Sequence, residues 1–258
     1  MSSDTPKLLH FPDVKVIFFD LDDTICAYWN AAKAGLKRAF EDHAEHGIPS
    51  DQLLQAWAVS FVEFVETIGK THWYQKYLES GDLTRAELMR RMLERVGIYD
   101  ESLALQMSQT YYVERHAALE LFPEAWEALE TLQKSYSMGL ITNGPTDIQR
   151  QEIQTLNIGP FFDHIFIEGE MGMGKPNPEV LALAHKAAGV EPAEILFVGN
   201  SYKHDMVPAM EAGWRTAWIR RDSDVPPSSR TGKPEELPEG AAAPDLTITD
   251  LRELYRQL

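Results

Sequence analysis

The residues best suited to chemistry stand at the end of one hydrophobic run. Val14 to Phe19 reads VKVIFF and leads straight into Asp20-Leu21-Asp22-Asp23-Thr24. Asp20 and Asp22 are separated by one residue, so in a chain that stays extended both side chains point to the same side. Two carboxylates facing one spot suit cation binding or a division of labour between an acid and a base. A competing reading makes them caps for the turn or helix that follows. Further polar groups close or follow later hydrophobic runs: Thr142-Asn143-Gly144 after Leu140-Ile141, Lys175 ahead of Pro176-Asn177-Pro178, and Asn200-Ser201 after Phe197-Val198-Gly199, with Asp205 beyond. Taken singly, each has an ordinary role open to it. Thr142 can be a strand-end residue beside an Asn-Gly turn, Lys175 a solvated loop lysine, and Asp205 an N-cap or first-turn acid of its helix.

The elements that must position these groups follow from the hydrophobic pattern. The run before Asp20 is β-branched and aromatic, which predicts a strand buried on both faces of a parallel sheet. Open α/β sheets hold their ligands beyond the carboxyl ends of such strands. From Cys26 to about Ala118 the character changes to helical spacing, with Leu36 and Phe40 in one segment and Trp57, Phe61, Phe64, Val65 and Ile68 in another. Gly47-Ile48-Pro49-Ser50 and Ser80-Gly81-Asp82 punctuate this all-helical stretch, with Ser50 or Asp51 and Asp82 or Thr84 as expected caps. After Leu121-Phe122-Pro123 the pattern alternates. Helices are expected over 124–134, 147–156, 178–188 and 205–212, and strands over 138–142, 164–167, 195–199 and 216–219. Repeated βα units require a parallel sheet with right-handed crossovers, so the fold class is α/β. The first twelve residues read as a lead-in. Residues 222–244, rich in Pro, Ser, Gly and Glu, read as a long loop that is either mobile or laid across the surface. An edge strand over 245–248 and an amphipathic helix over 250–258 close the chain.

Taken in order, four segments resemble the motifs of the haloacid dehalogenase superfamily: Asp20 to Thr24, Leu140 to Gly144, Gly174 to Pro178, and Phe197 to Ser201 with Asp205. The resemblance covers nearly the whole chain. It implies a Rossmann-like core with helices on both faces, built from residues 1–26 and 119–258, and a helical cap over 27–118 that sits above the acids as a lid. It further implies a phosphatase that uses Mg²⁺. By analogy Asp20 is the nucleophile that forms an aspartyl-phosphate, and Asp22 is the general acid and base. Thr142, the N–H of Asn143 and Lys175 hold the phosphoryl oxygens, while Thr24 orders the motif's own turn. The magnesium ligands implied are Asp20, the backbone carbonyl of Asp22, Asn200 and Asp205. One departure stands out: Asn200 follows Gly199 where the family usually has Asp, which removes a negative charge from the metal site. The dehalogenase branch, which uses no metal, also carries an Asn and a later Asp in this segment, but it lacks an acid at the position of Asp22. Two alternatives to the phosphatase therefore stand, a dehalogenase-type hydrolase acting on carbon and a non-catalytic relative that binds a phosphorylated ligand.

Composition bounds the partners. Forty acids against 24 Lys and Arg give a net charge of −16, which repels nucleic-acid phosphates and anionic membranes in the absence of a basic patch, and none is visible. An anionic substrate would be repelled too, so it would need a local remedy such as a divalent cation, a lysine and oriented N–H groups. A hydrophobic content of 44% is ample for a core. The single cysteine, Cys26, excludes an intramolecular disulfide and reads as a small buried residue. His43 and His46 read as a solvated helix surface, and the aromatics Trp57, Phe61, Phe64, Trp73, Tyr74 and Tyr77 as the interior of the helical insert or, for some of them, the lining of a substrate pocket. The N-terminus lacks a signal-peptide pattern and no apolar run is long enough to span a bilayer. The expectation is a cytoplasmic protein acting on a small phosphorylated metabolite, with no nucleic-acid or membrane partner. The pattern selects neither a monomer nor a homodimer.

Overall fold

The computed structural model describes residues 11–258, so the expected lead-in falls almost wholly outside the described residues. Six strands form one sheet: β1 (Val16–Phe19), β2 (Ser137–Thr142), β3 (His164–Ile167), β4 (Ile195–Gly199), β5 (Arg215–Ile219) and β6 (Leu246–Ile248). Their order is β3-β2-β1-β4-β5-β6 and every adjacent pair is parallel. The chain steps outward from β1 to β3, then crosses back to the other side of β1. This reversal opens a crevice at the carboxyl ends of β1 and β4, the place where such sheets hold ligands.

Side chains along the central strands alternate between two cores. Ile17, Phe19, Leu196 and Val198 pack with Leu129 and Leu132 of α6 (Ala125–Leu132), Ile153 of α7 (Thr146–Thr155) and Leu251 of α11 (Leu251–Leu254). Val16, Phe18, Ile195 and Phe197 pack on the opposite face with Val180, Leu181 and Ala184 of α9 (Pro178–Ala188) and Ala209 of α10 (Val207–Glu211). Ile17, Phe18 and Phe19 are fully buried, each stabilising by roughly 1.5–3 kcal/mol. Gly139 on β2 is required by this packing, because a Cβ there would lie 2.2 Å from the Phe18 ring.

Between β1 and α6 the chain is helical: α1 (Tyr28–Asp42), α2 (Ser50–Ile68), α3 (Trp73–Glu79), α4 (Gly81–Arg95) and α5 (Glu101–Ala118). These helices enclose a third hydrophobic cluster around Leu36, Phe40, Leu53, Trp57, Met92 and Met107. The strands of chain that lead in and out run side by side, with Ala27 N donating to Glu120 O at 2.9 Å and Phe122 N to Ile25 O at 3.0 Å. Among the described residues no helix is long and apolar enough to cross a membrane.

Several local expectations change. Ser80, not Asp82 or Thr84, caps α4 by accepting from Asp82 N, since the residue with extended φ/ψ is the one whose oxygen can reach back over the first turn. The helix α2 begins at Ser50 behind Pro49, with no side-chain cap. The helix expected over 205–212 is split into a wide π-turn, Tyr202–Met206, and the short α10. The closing helix shortens to α11, whose N-cap is Asp250. An extra turn of helix, α8 (Glu168–Met171), follows β3. The 222–244 segment has no strand or helix and lies across the surface: Glu235 accepts from Tyr202 N at 2.9 Å, and Ala242 O accepts from the Tyr202 hydroxyl at 2.8 Å.

Candidate active site

Asp20 is the first residue past β1, and its N–H extends the ladder by donating to Val198 O at 2.9 Å. The chain then turns sharply. Leu21 O accepts from the N–H groups of Thr24, Ile25 and Cys26, and Asp23 takes φ = 58°, a left-handed conformation that Asp tolerates better than most residues. This turn sends the three acids of the motif into different surroundings.

Asp20 lies in a buried network. Its Oδ1 accepts from Lys175 Nζ at 2.7 Å and its Oδ2 from the Thr24 hydroxyl at 3.1 Å. The same ammonium donates to Asp205 Oδ1, again at 2.7 Å, so one cation bridges two carboxylates from opposite ends of the sequence. The other oxygen of Asp205 accepts from Ser201 N at 2.9 Å. Gly199 makes room for this arrangement, because a Cβ there would sit 2.4 Å from the Asp205 carboxylate. Asp205 is thus neither the N-cap of its turn, a role Ser201 fills, nor a surface acid. Asn200 joins the network through Oδ1, which accepts from Thr24 at 3.3 Å, while its Nδ2 donates to Asp224 Oδ2 at 2.9 Å. Burial pushes the Asp20 carboxyl up to about 6, against the opposing pull of Lys175. Burial works against the Lys175 ammonium, but Asp20 and Asp205 outweigh it and raise its pKa to about 12. Burial also lifts Asp224 to about 6 and, with the charge of Asp224 next, Asp23 to about 8.

Asp22 belongs to a second network. Its Oδ2 accepts from Gln149 Nε2 at 3.2 Å and its Oδ1 meets Cys26 Sγ at 3.7 Å. Gln149 also donates to Glu152, which is fully buried and pairs with Arg115 at 2.5 Å. Burial, followed by the charges of Glu152 and Asp20, holds the Asp22 carboxyl well above the usual range. The Thr142 hydroxyl donates to Gln149 Oε1 at 2.6 Å and so joins the Asp22 side of the site. Asn143 uses both ends of its amide on the Lys175 backbone: Nδ2 donates to Lys175 O and Oδ1 accepts from Lys175 N, each at 2.8 Å. Its side chain therefore fixes the loop that delivers the ammonium.

All seven residues singled out from the sequence thus surround the carboxyl ends of β1, β2 and β4, but as two linked networks rather than one cluster. Reading the sequence missed Asp224, Gln149, Glu152, Arg115 and Glu168. Gln149 and Glu152 have the spacing of neighbours on one face of α7, a signal that can be found only once that face is known to point at Asp22. Asp224 sits in a stretch without periodicity. Glu168 accepts from the Tyr74 and Tyr77 hydroxyls at 3.1 and 3.4 Å and from Gly144 N at 3.0 Å, tying α3 to the loop after β2.

Whether these residues fit a magnesium ion is a matter of donor chemistry. Among the described residues no three His, Cys, Asp or Glu side chains already converge as a cage. The oxygens of Asp20 and Asn200 are nevertheless hard donors grouped beside Thr24, and the Asp224 carboxylate meets the other end of the Asn200 amide. Lys175 pairs with Asp20 and Asp205, while Asp23 and Asp224 are buried nearby without it, so negative charge is in excess. Magnesium takes one or two carboxylates and keeps several waters, a demand this set meets.

The sequence profile of the haloacid dehalogenase-like hydrolases matches residues 14–213. Phosphoserine phosphatase of Thermus thermophilus is 29% identical over 94% of this chain and 98% of its own length. Glyceraldehyde 3-phosphate phosphatase of Pyrococcus furiosus is 30% identical over 95% of this chain and 93% of its own. Among solved structures, the HAD-hydrolase YfnB from Bacillus subtilis bound to magnesium superposes with a TM-score of 0.68 at 23% identity, over 94% of this chain and 97% of that one, which is a likeness of fold. With the profile matched over most of its length and its strands in the same architecture, the chain belongs to the haloacid dehalogenase-like hydrolases.

Proposed function

We propose that the protein is a magnesium-dependent phosphatase that hydrolyses a small phosphorylated metabolite in the cytoplasm through an aspartyl-phosphate on Asp20. The observation that carries this reading is the division of the two acids. Asp20 stands at the end of β1 against Lys175, while Asp22, two residues on, is held apart by Gln149 in surroundings that keep its proton. A nucleophile must be ionised and an acid must be protonated: burial raises both carboxyls, but only Asp20 has an ammonium hydrogen-bonded to it that opposes the rise. The likeness to the phosphatases of T. thermophilus and P. furiosus supports an ester of phosphate as the substrate.

In the first half-reaction an Asp20 carboxylate oxygen attacks phosphorus, and Asp22 gives its proton to the leaving alcohol oxygen. In the second, Asp22 takes a proton from water as that water attacks the phosphorus of the acyl phosphate, which releases phosphate and restores Asp20. Lys175 offsets the charge that would otherwise keep an anionic ester away from Asp20 and Asp205. Thr142 turns its hydroxyl from Gln149 to a phosphoryl oxygen, and Asn143 holds the Lys175 loop in register while offering its own N–H. Asp20, the carbonyl of Asp22, Asn200 and Asp205 would hold the magnesium ion, with Asp224 adding the charge that Asn200 lacks. When bound, such an ion polarises the phosphoryl oxygens and offsets their charge. We read residues 1–26 and 119–258 as the catalytic core and 27–118 as a cap.

Attack on carbon is the second reading, and it draws its support from Asn200. The test is hydrolysis of an aryl phosphate by the wild type with magnesium, the wild type with chelator, and Asp20→Asn. Turnover should vanish with chelator and fall by at least about 10⁴-fold in the variant. Activity that ignores chelator, or that survives in Asp20→Asn, would overturn the phosphatase reading; release of halide from a 2-haloacid would replace it.

A further inference from the structure

The helical block encloses a cavity of about 290 Å³ whose floor is the loop after β2, Asn143 and Pro145. This is close to the lower end of the range in which small ligands are held. Aliphatic side chains share its walls with aromatic ones, among them Tyr28, Trp29, Trp57, Phe61, Phe64 and Tyr111. The rings pack on one another as a fixed surface, with Phe61 stacked on Trp57 at 4.9 Å between centroids and set edge-on to Trp29 at 5.9 Å.

Each charged group of the wall has a partner within the protein, but among the described residues the buried Arg85 Nε has none and Glu168 is met by neutral donors only. Arg115 is paired with buried Glu152. Arg85 is paired with Asp82 and lies over the Tyr112 ring. The Glu168 carboxylate accepts from two tyrosine hydroxyls and a backbone N–H. A charged leaving group would pair with Arg85 or Glu168 but give up its water against the apolar remainder of the wall. A flat apolar ring, by contrast, would gain both area burial and ring-to-ring contact.

We infer that the substrate is the phosphate ester of an alcohol bearing an aromatic ring, with the ring seated against Phe61, Trp57 and Trp29. The inference rests on the phosphatase reading above and narrows it. An aryl alcohol and a nucleoside share this chemistry. The ring should be worth about 10- to 100-fold in kcat/KM, and a leaving group without a ring should forfeit that gain.

The experiment compares kcat/KM for 2-naphthyl phosphate, uridine 5′-monophosphate, phosphoserine and glyceraldehyde 3-phosphate, each as a ratio to acetyl phosphate, whose leaving group is too small to reach the rings. Either aromatic ester should lead by at least about tenfold. Which of them leads tells an aryl alcohol from a nucleobase. In Phe61→Ala the ratio for the leading ester should fall at least about fivefold, and in Phe61→Leu, which keeps bulk without a ring, it should fall less. Preference for phosphoserine or glyceraldehyde 3-phosphate, or a ratio unmoved by both variants, would overturn the inference and leave the phosphatase reading intact. Should no ester turn over, the phosphatase reading fails and the cavity is judged by binding. Quenching of tryptophan fluorescence by 2-naphthol but not by serine supports an aromatic ligand, and its absence refutes one.

Discussion

Arg115→Met tests how the helical block is fastened to the sheet. Arg115 on α5 and Glu152 on α7 have side chains only 3% and 0% exposed, with Nη1 and Oε1 2.5 Å apart. At that depth neither charge is screened by solvent, and the two attract by about 4 kcal/mol at the effective dielectric that describes protein sites. Removing the guanidinium leaves Glu152 charged and buried beside Asp22, with Gln149 Nε2 as its remaining donor. Breaking a buried pair from one side costs about 3–5 kcal/mol, which for a chain of this size lowers Tm by roughly 6–20 °C. Adding Glu152→Gln removes the stranded charge while keeping an oxygen for Gln149, so the double variant should recover more than half of the loss. Urea unfolding followed by circular dichroism at pH 7 measures both steps. If Arg115→Met lies within about 1 kcal/mol of wild type, or if the double variant is no more stable than the single one, the pair is not what holds these helices together.

Asn200→Asp replaces an amide that donates to Asp224 with a second carboxylate facing it. Without magnesium it should unfold at a lower temperature by an amount equivalent to about 1–3 kcal/mol, and magnesium should raise its Tm more than it raises that of wild type; an equal magnesium response in the two proteins would refute the placement of the ion beside Asn200. Asp23→Asn addresses pH. Burial and then Asp224 raise the folded Asp23 pKa to about 8, above its unfolded value. The stability this group contributes is therefore complete below about pH 4 and is lost as pH climbs to about 8. The variant has no such titration, so thermal scans should show it gaining on wild type by up to about 1.4 kcal/mol per pH unit across that window and levelling off above it; a difference that stays constant with pH would count against a buried, protonated Asp23.

What the sequence determined by itself is whatever local periodicity encodes. Runs such as Val16 to Phe19 and Ile195 to Gly199 are apolar at every position, so they have to be buried on both faces, and alternation with helices then demands a parallel sheet. Asp20 and Asn200 fall at the carboxyl ends of strands for that reason alone. The tertiary structure decided which distant groups meet them. Lys175 stands 155 residues from Asp20, and no spacing rule says that its ammonium bridges Asp20 and Asp205. Asp224 comes from a segment with no pattern, and it becomes visible only when that segment is laid against Asn200. Glu152 and Arg115 look like ordinary helix-surface charges until α5 and α7 close on each other and exclude water. Periodicity reports which face of an element is apolar, whereas the partner of a buried charge depends on how several elements close together, and that closure is a property of the whole chain.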